Sequence, residues 1–352
     1  MTSNPDILFE RHGAAGIVTL NRPKALNSVT HDMVRALAAQ LARWENDGAV
    51  TRVILTAQGG RAFSAGGDVR ALYDLAGAGQ QAEALAFWHD EYRLNFAIKR
   101  YPKPYVALID GIVMGGGVGI SVHGSHRVAG DRFLFAMPEV GIGFFPDVGA
   151  TWFLPRLPGE LGTWCALTGG RLDAAAGVAA GVATQRVASA RFPDLVDALC
   201  GNVSVDALLA AFAEPVGEGP LAAHWATIDR LFAGDEVEAI LATLDAEAAS
   251  GSKDAAWAAV TAADMRTKAP TSMKVALAQV RRGKAWSFEE CMRTEFRIVS
   301  RFVNDRNFYE GIRAVIVDKD NRPQWQPAAL EGVDRAEVER HFAPLARELT
   351  LP

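Results

Sequence analysis

Two acids, Glu139 and Asp147, stand eight positions apart in an almost uncharged stretch, residues 138–149. Their neighbours Val140, Ile142, Phe144, Phe145 and Val148 supply neither water nor counter-charge. Burial raises the pKa of a carboxyl group, and a second carboxylate close by raises it further. Acids paired in this way can divide the roles of base and acid between them. Capping of a helix or turn is the plainer use of the same two side chains.

A run of small residues, Met114-Gly115-Gly116-Gly117-Val118-Gly119, lies a short distance upstream. Glycines let the backbone approach a ligand closely. If a helix starts there, free backbone N–H groups point outward at its positive end. Fixed donors of this kind suit an oxyanion that develops during reaction. Close helix–strand packing is the competing use. The run is neither a dinucleotide fingerprint in register nor a phosphate-binding P-loop. Residues 63–68, Phe-Ser-Ala-Gly-Gly-Asp, form a second such place. One N–H from each loop would make a two-donor hole.

Other chemistries are disfavoured. His123 and His126 are three apart with no third ligand candidate nearby, so no metal is expected. Ser64 and Ser121 have no evident base, and no nucleophile elbow is present. His31 reads as a helix-surface residue. Glu91 falls among aromatics on a long helix and reads, on pattern alone, as a surface acid.

The elements that must position these residues follow from periodicity. Residues 7–12 and 17–20 read as a hairpin joined by Gly13-Ala14-Ala15-Gly16. Thr30 is a plausible N-cap for a helix to about residue 46, with Met33, Leu37, Leu41 and Trp44 on one face. Strands are expected over 52–57, 104–110 and 133–137. A long helix is expected over 81–100, with Leu85, Trp88, Tyr92 and Phe96 on one face. Helices are expected over 149–168, 173–180, 270–282 and 287–304. The order strand, strand, helix recurs, which implies an α/β protein of stacked ββα turns. Residues 1–200 carry this pattern, and residues 201–352 read as a mainly helical region that completes the fold.

The chain has 352 residues, 49% hydrophobic and 22% charged, with net charge -5. Such a balance gives no nucleic-acid footprint. It leaves room for an anionic ligand held by a local basic cluster. Cys165, Cys200 and Cys291 form neither a CxxC nor an even set, which points to a reducing compartment. The first ten residues show no signal or transit character, and no apolar run is long enough to span a membrane. A cytoplasmic location is the expectation.

Taken together the chain resembles the crotonase superfamily. The resemblance rests on residues 17–23 with Ala25-Leu26-Asn27, residues 62–68, the glycine run and Pro138-Glu139, in that order and spacing. It implies a crotonase-type spiral, an acyl-CoA substrate, and an oxyanion hole from the N–H groups of Ala65 and Gly116. It places Lys24, Ala25 and Leu26 near the coenzyme A portion, which belongs to the substrate. It implies no metal and no separate cofactor. Enoyl-CoA hydratases carry a second glutamate where this chain has Gly119, and tend to have glycine in place of Asp147. Residues 139–147, 115–124, 153–157, 90–95, 308–315 and 318–320 are instead similar to 3-hydroxyisobutyryl-CoA hydrolases. That likeness makes Glu139 and Asp147 the catalytic acids and Glu91 a substrate contact. It implies hydrolysis of a short 3-hydroxyacyl-CoA, as in valine breakdown. Glu139 would act as nucleophile or as general base. An enoyl-CoA hydratase or isomerase is the alternative, and a non-catalytic acyl-CoA-binding protein a more distant one. The superfamily often forms trimers, so a homo-oligomer is open.

Overall fold

A computed structural model gives the positions of residues 5–352; the first four residues of the N-terminal stretch lie outside the described residues. The chain opens on the antiparallel hairpin β1 (Ile7–His12) and β2 (Ala15–Leu20). Its turn is Gly13-Ala14 rather than the four residues expected, because Ala15 and Gly16 pair with His12 and Arg11.

Three further strands extend this sheet in parallel: β3 (Arg52–Ala57), β5 (Tyr105–Ile109) and β7 (His126–Ala129). The two-residue β10 (Gln185–Arg186) closes its edge beside β7. After each of β3, β5 and β7 the chain crosses to a second, smaller sheet. There it forms β4 (Ala62–Ser64), β6 (Ile112–Met114) and β8 (Leu134–Ala136), with β9 (Leu172–Asp173) antiparallel at the end. The expected ββα turns are thus one strand in each sheet followed by helix, wound as a spiral.

The inner strands β3 and β5 of the large sheet are apolar on both faces because both are covered. Val53, Leu55, Tyr105, Ala107 and Ile109 face the main core, which runs from Ile7 to Leu349 and so takes side chains from both stretches of the sequence. Ile54, Val106 and Leu108 face the other way, onto Leu195, Leu199, Val205 and Leu209 of two helices, Phe192–Leu199 and Val205–Phe212.

Helix α1 (His31–Asn46) starts where expected: Thr30 Oγ1 accepts from Met33 N at 3.2 Å, and Met33, Leu37, Leu41 and Trp44 are buried. Asp68 caps α2 (Val69–Gly77). In α3 (Gln81–Lys99) burial is not confined to the expected face; Ala84, Phe87, Glu91, Leu94 and Asn95 are buried as well, because neighbours pack on several sides. The helix expected over 149–168 is interrupted. Leu157 is extended before Pro158, where proline disfavours helix in the preceding residue, and only Leu161–Thr168 resumes as α-helix.

In the second half the helix Phe288–Phe302 begins with a capping box. Ser287 Oγ accepts from Glu290 N at 3.2 Å, and the Glu290 carboxylate accepts from Ser287 N at 2.8 Å. Among the described residues no helix is long and apolar enough to cross a membrane. Ser287→Ala should lower unfolding free energy by about 1 kcal/mol. Urea denaturation would show this as a lower midpoint at unchanged slope.

Candidate active site

Glu91, Gly116, Glu139 and Asp147 all line one cavity of about 600 Å³. They arrive there from different turns of the spiral. Glu91 projects from the middle of α3. Gly116 opens α4 (Gly116–Gly119), directly after β6. Glu139 starts a 3₁₀ turn after β8, and Asp147 follows it on an irregular loop. Leu72, Phe87, Trp88, Phe144 and Phe308 make the apolar wall. Arg171 and Lys268 lie on its edge, Lys268 paired to Asp264 at 2.8 Å.

The donor pair differs from expectation at one residue. Ala65 also lines the cavity, but its N–H is already spent on Leu26 O at 3.0 Å, a bond made across the chain. Gly67, two residues on, has an N–H that donates to no group among the described residues, and the same holds for Gly116. These amides flank one gap: a Cβ built on Gly116 would lie 3.2 Å from Gly67 N and 2.5 Å from Glu91 Oε1. The open donors are therefore Gly67 and Gly116. Only glycine at position 116 leaves room between them for another atom.

The acids are nearly desolvated: Glu91, Glu139 and Asp147 are 2%, 6% and 4% exposed. Glu91 Oε1 and Glu139 Oε2 are buried without a hydrogen-bond partner among the described residues. Burial first, then the charge of Asp147, holds both groups well above the usual carboxylate range; Glu295 adds to this for Glu91. Burial pushes Asp147 up to about 7 despite a bond from Tyr92 Oη to its Oδ2 at 2.8 Å. Among the described residues no lysine, arginine or histidine forms an ion pair with any of these acids. Carboxyl groups buried together without a paired cation resist full ionisation.

The loop bearing Asp147 is strained. Val148 has φ 53 and Gly149 φ 91. A β-branched residue in that region costs on the order of 1–3 kcal/mol and persists only where its surroundings enforce it. Glu295 is the enforcing residue that pattern reading missed. Fully buried on the helix Phe288–Phe302, it accepts from Gly149 N at 2.7 Å and Thr151 N at 2.9 Å, and burial pushes it to about 8. Its position four after Cys291 and seven before Phe302, on the buried face, was the available sign. Tyr92 was read only as a core aromatic.

Other expected residues fall elsewhere. Lys24 and Ala25 are exposed and Leu26 half-buried on a turn that meets the site only through the bond to Ala65. His126 pairs with Asp206 and His31 with Asp90. The three cysteines are free and buried.

The profile of the family Enoyl-CoA hydratase/isomerase matches residues 15–342. The chain is 44% identical to the "3-hydroxyisobutyryl-CoA hydrolase, mitochondrial" of Danio rerio, over 98% of this chain and 92% of that one. The human protein of the same name is 39% identical, over 97% and 89%. Among solved structures, a carnitinyl-CoA dehydratase from Mycobacterium thermoresistibile superposes with TM-score 0.92 at 46% identity, covering 99% of each chain. An enoyl-CoA hydratase from Rhodobacter sphaeroides superposes with TM-score 0.91 at 38% identity, over 98% and 100%.

Two measurements check this geometry. Gly116→Ala should drive Glu91 aside and fill the gap between the amides, cutting turnover of an acyl-CoA about 100- to 1000-fold with the fold intact by circular dichroism. Asp147 rises from an ordinary 3.8 to about 7 on folding, so the native state takes up a proton between those values. Its contribution to stability is full below the unfolded value and lost as pH rises through 7. Asp147→Asn should therefore raise the melting temperature at pH 8 more than at pH 4.

Proposed function

The chain belongs to the enoyl-CoA hydratase/isomerase family, and we propose that within it this protein hydrolyses a short branched 3-hydroxyacyl-CoA, foremost 3-hydroxyisobutyryl-CoA, to the free acid and coenzyme A. The observation that carries the reading is the meeting of two open backbone donors with Glu139 and Asp147 in one apolar cavity. The names of the curated relatives support the same substrate.

The thioester oxygen sits between the N–H groups of Gly67 and Gly116, which stabilise its charge as the carbonyl carbon becomes tetrahedral. Glu139 either adds to that carbon, giving a mixed anhydride that water then opens, or takes a proton from the attacking water. Its raised pKa makes the ionised form a stronger base than an exposed carboxylate. The C–S bond breaks, and the sulfur takes a proton from the carboxyl cluster. Asp147 and Glu91 hold the 3-hydroxyl group. In this reading Lys24, Ala25 and Leu26, on an exposed turn outside the cavity, would meet the coenzyme A portion. The free 3-hydroxy acid as product suits a step of valine breakdown.

The hydratase reading draws on the names of the two solved structures. Against it stands position 119. A Cβ on Gly119 would lie 2.7 Å from Val148 Cβ and 2.8 Å from Asn95 Nδ2, so a second glutamate has no room there. The same strained residue that follows Asp147 fills that space.

Release of thiol from 3-hydroxyisobutyryl-CoA, run beside hydration of crotonyl-CoA, separates the two. We expect fast thiol release, slowed at least about 100-fold in Asp147→Gly, with little hydration. Hydration without thiol release would refute the hydrolase. In a single turnover in oxygen-18 water, label in Glu139 marks an anhydride opened by water at the glutamyl carbonyl, and unlabelled Glu139 counts against that route.

A further inference from the structure

We propose that Glu295 and His123 are positioning residues for Asp147: they lock the backbone after it in the conformation that presents its carboxylate to the cavity. The inference rests on the thioester hydrolase reading, in which Asp147 touches substrate.

Residues 146–151 are held by three side chains from three separate elements. Gln279, on the helix Pro270–Gly283, donates Nε2–H to Pro146 O. His123, just beyond α4, donates Nε2–H to Val148 O at 2.7 Å. Glu295 accepts from Gly149 N and Thr151 N. These bonds bracket Asp147 and bridge the two consecutive residues with positive φ. All three side chains are buried, and none lines the cavity, so none can reach substrate. Their effect on the reaction must pass through the loop.

The chemistry of each partner fits this task narrowly. Both oxygens of Glu295 meet an N–H. A carboxyl group offers an oxygen acceptor at each end, whereas glutamine would turn its NH2 donor toward one of the two amides. Placing an unpaired carboxylate in the core costs far more than an apolar side chain of the same size. Two amides on a strained turn are what it holds in return. His123 must carry its proton on Nε2, because a carbonyl can only accept. Its ring is wedged against Phe288 at 4.9 Å between centroids. A Cβ on Gly149 would strike that ring at 2.4 Å, so the turn and the imidazole are fitted to each other.

A double-mutant cycle on thiol release from 3-hydroxyisobutyryl-CoA tests the assignment. Glu295→Gln in the wild-type background should lower kcat about 100-fold, the cost of a catalytic group misplaced by roughly 1 Å. In the Asp147→Asn background it should change the residual rate by no more than about twofold, since the group it positions is already gone. His123→Leu should behave in the same way, and His123→Gln, which keeps a donor, should recover most of the loss. Equal fold-losses with and without the Asp147 carboxylate would overturn the proposal and leave Glu295 as scaffolding. If Glu295→Gln fails to fold, the His123 cycle decides by the same criterion. Absence of thiol release in the wild type would instead sink the hydrolase reading, so the two failures are distinguishable.

Discussion

Carboxyl groups gathered in an apolar volume, with no cation paired to them among the described residues, set the terms for the rest of this protein. Glu91, Glu139 and Asp147 face the cavity, and Glu295 lies behind the loop that carries one of them. In water such a group would ionise and drift apart. Here the surrounding helices and the wall of Trp88, Phe144 and Phe308 prevent both. The cost is carried by the core that closes over them, and the gain is a set of acids held above the usual carboxylate range, where they bind protons more strongly.

The spiral suits this purpose because each turn ends at the same place. The chain passes from the large sheet to the small one, and the loops leaving β4, β6 and β8 all open on the cavity. Two of these loops deliver backbone amides and the third delivers carboxylates. Amides at the ends of short, paired strands do not need to reorganise as charge builds on a bound oxygen. The third loop is irregular, and its irregularity is maintained from outside by helices of the second half of the chain. Those helices share the main core with the strands, which explains how residues so late in the sequence act on the site.

Much of this could be read from the residues in order. Acids in an apolar stretch marked Glu139 and Asp147, small residues after strands marked the donor loops, and Thr30 and Ser287 marked helix starts. What escaped depends on contacts between distant segments. Whether Ala65 or Gly67 offers a free N–H is decided by Leu26 O, far back in the chain. Glu91 looked like a surface acid because its helix is covered on several sides, which its own pattern does not announce. Strands as short as β6 and β7 carry too few residues for a period to show. Glu295 was a legible exception, an acid on the buried face of an otherwise amphipathic helix.

Infrared titration of the carboxylic-acid C=O stretch addresses the central claim most directly. The account predicts a protonated carboxyl band in the substrate-free protein at pH 7, reduced in Glu91→Gln and in Glu139→Gln and fading only as pH rises well above the ordinary carboxylate range. A protein with every carboxyl group ionised at pH 7 would contradict it.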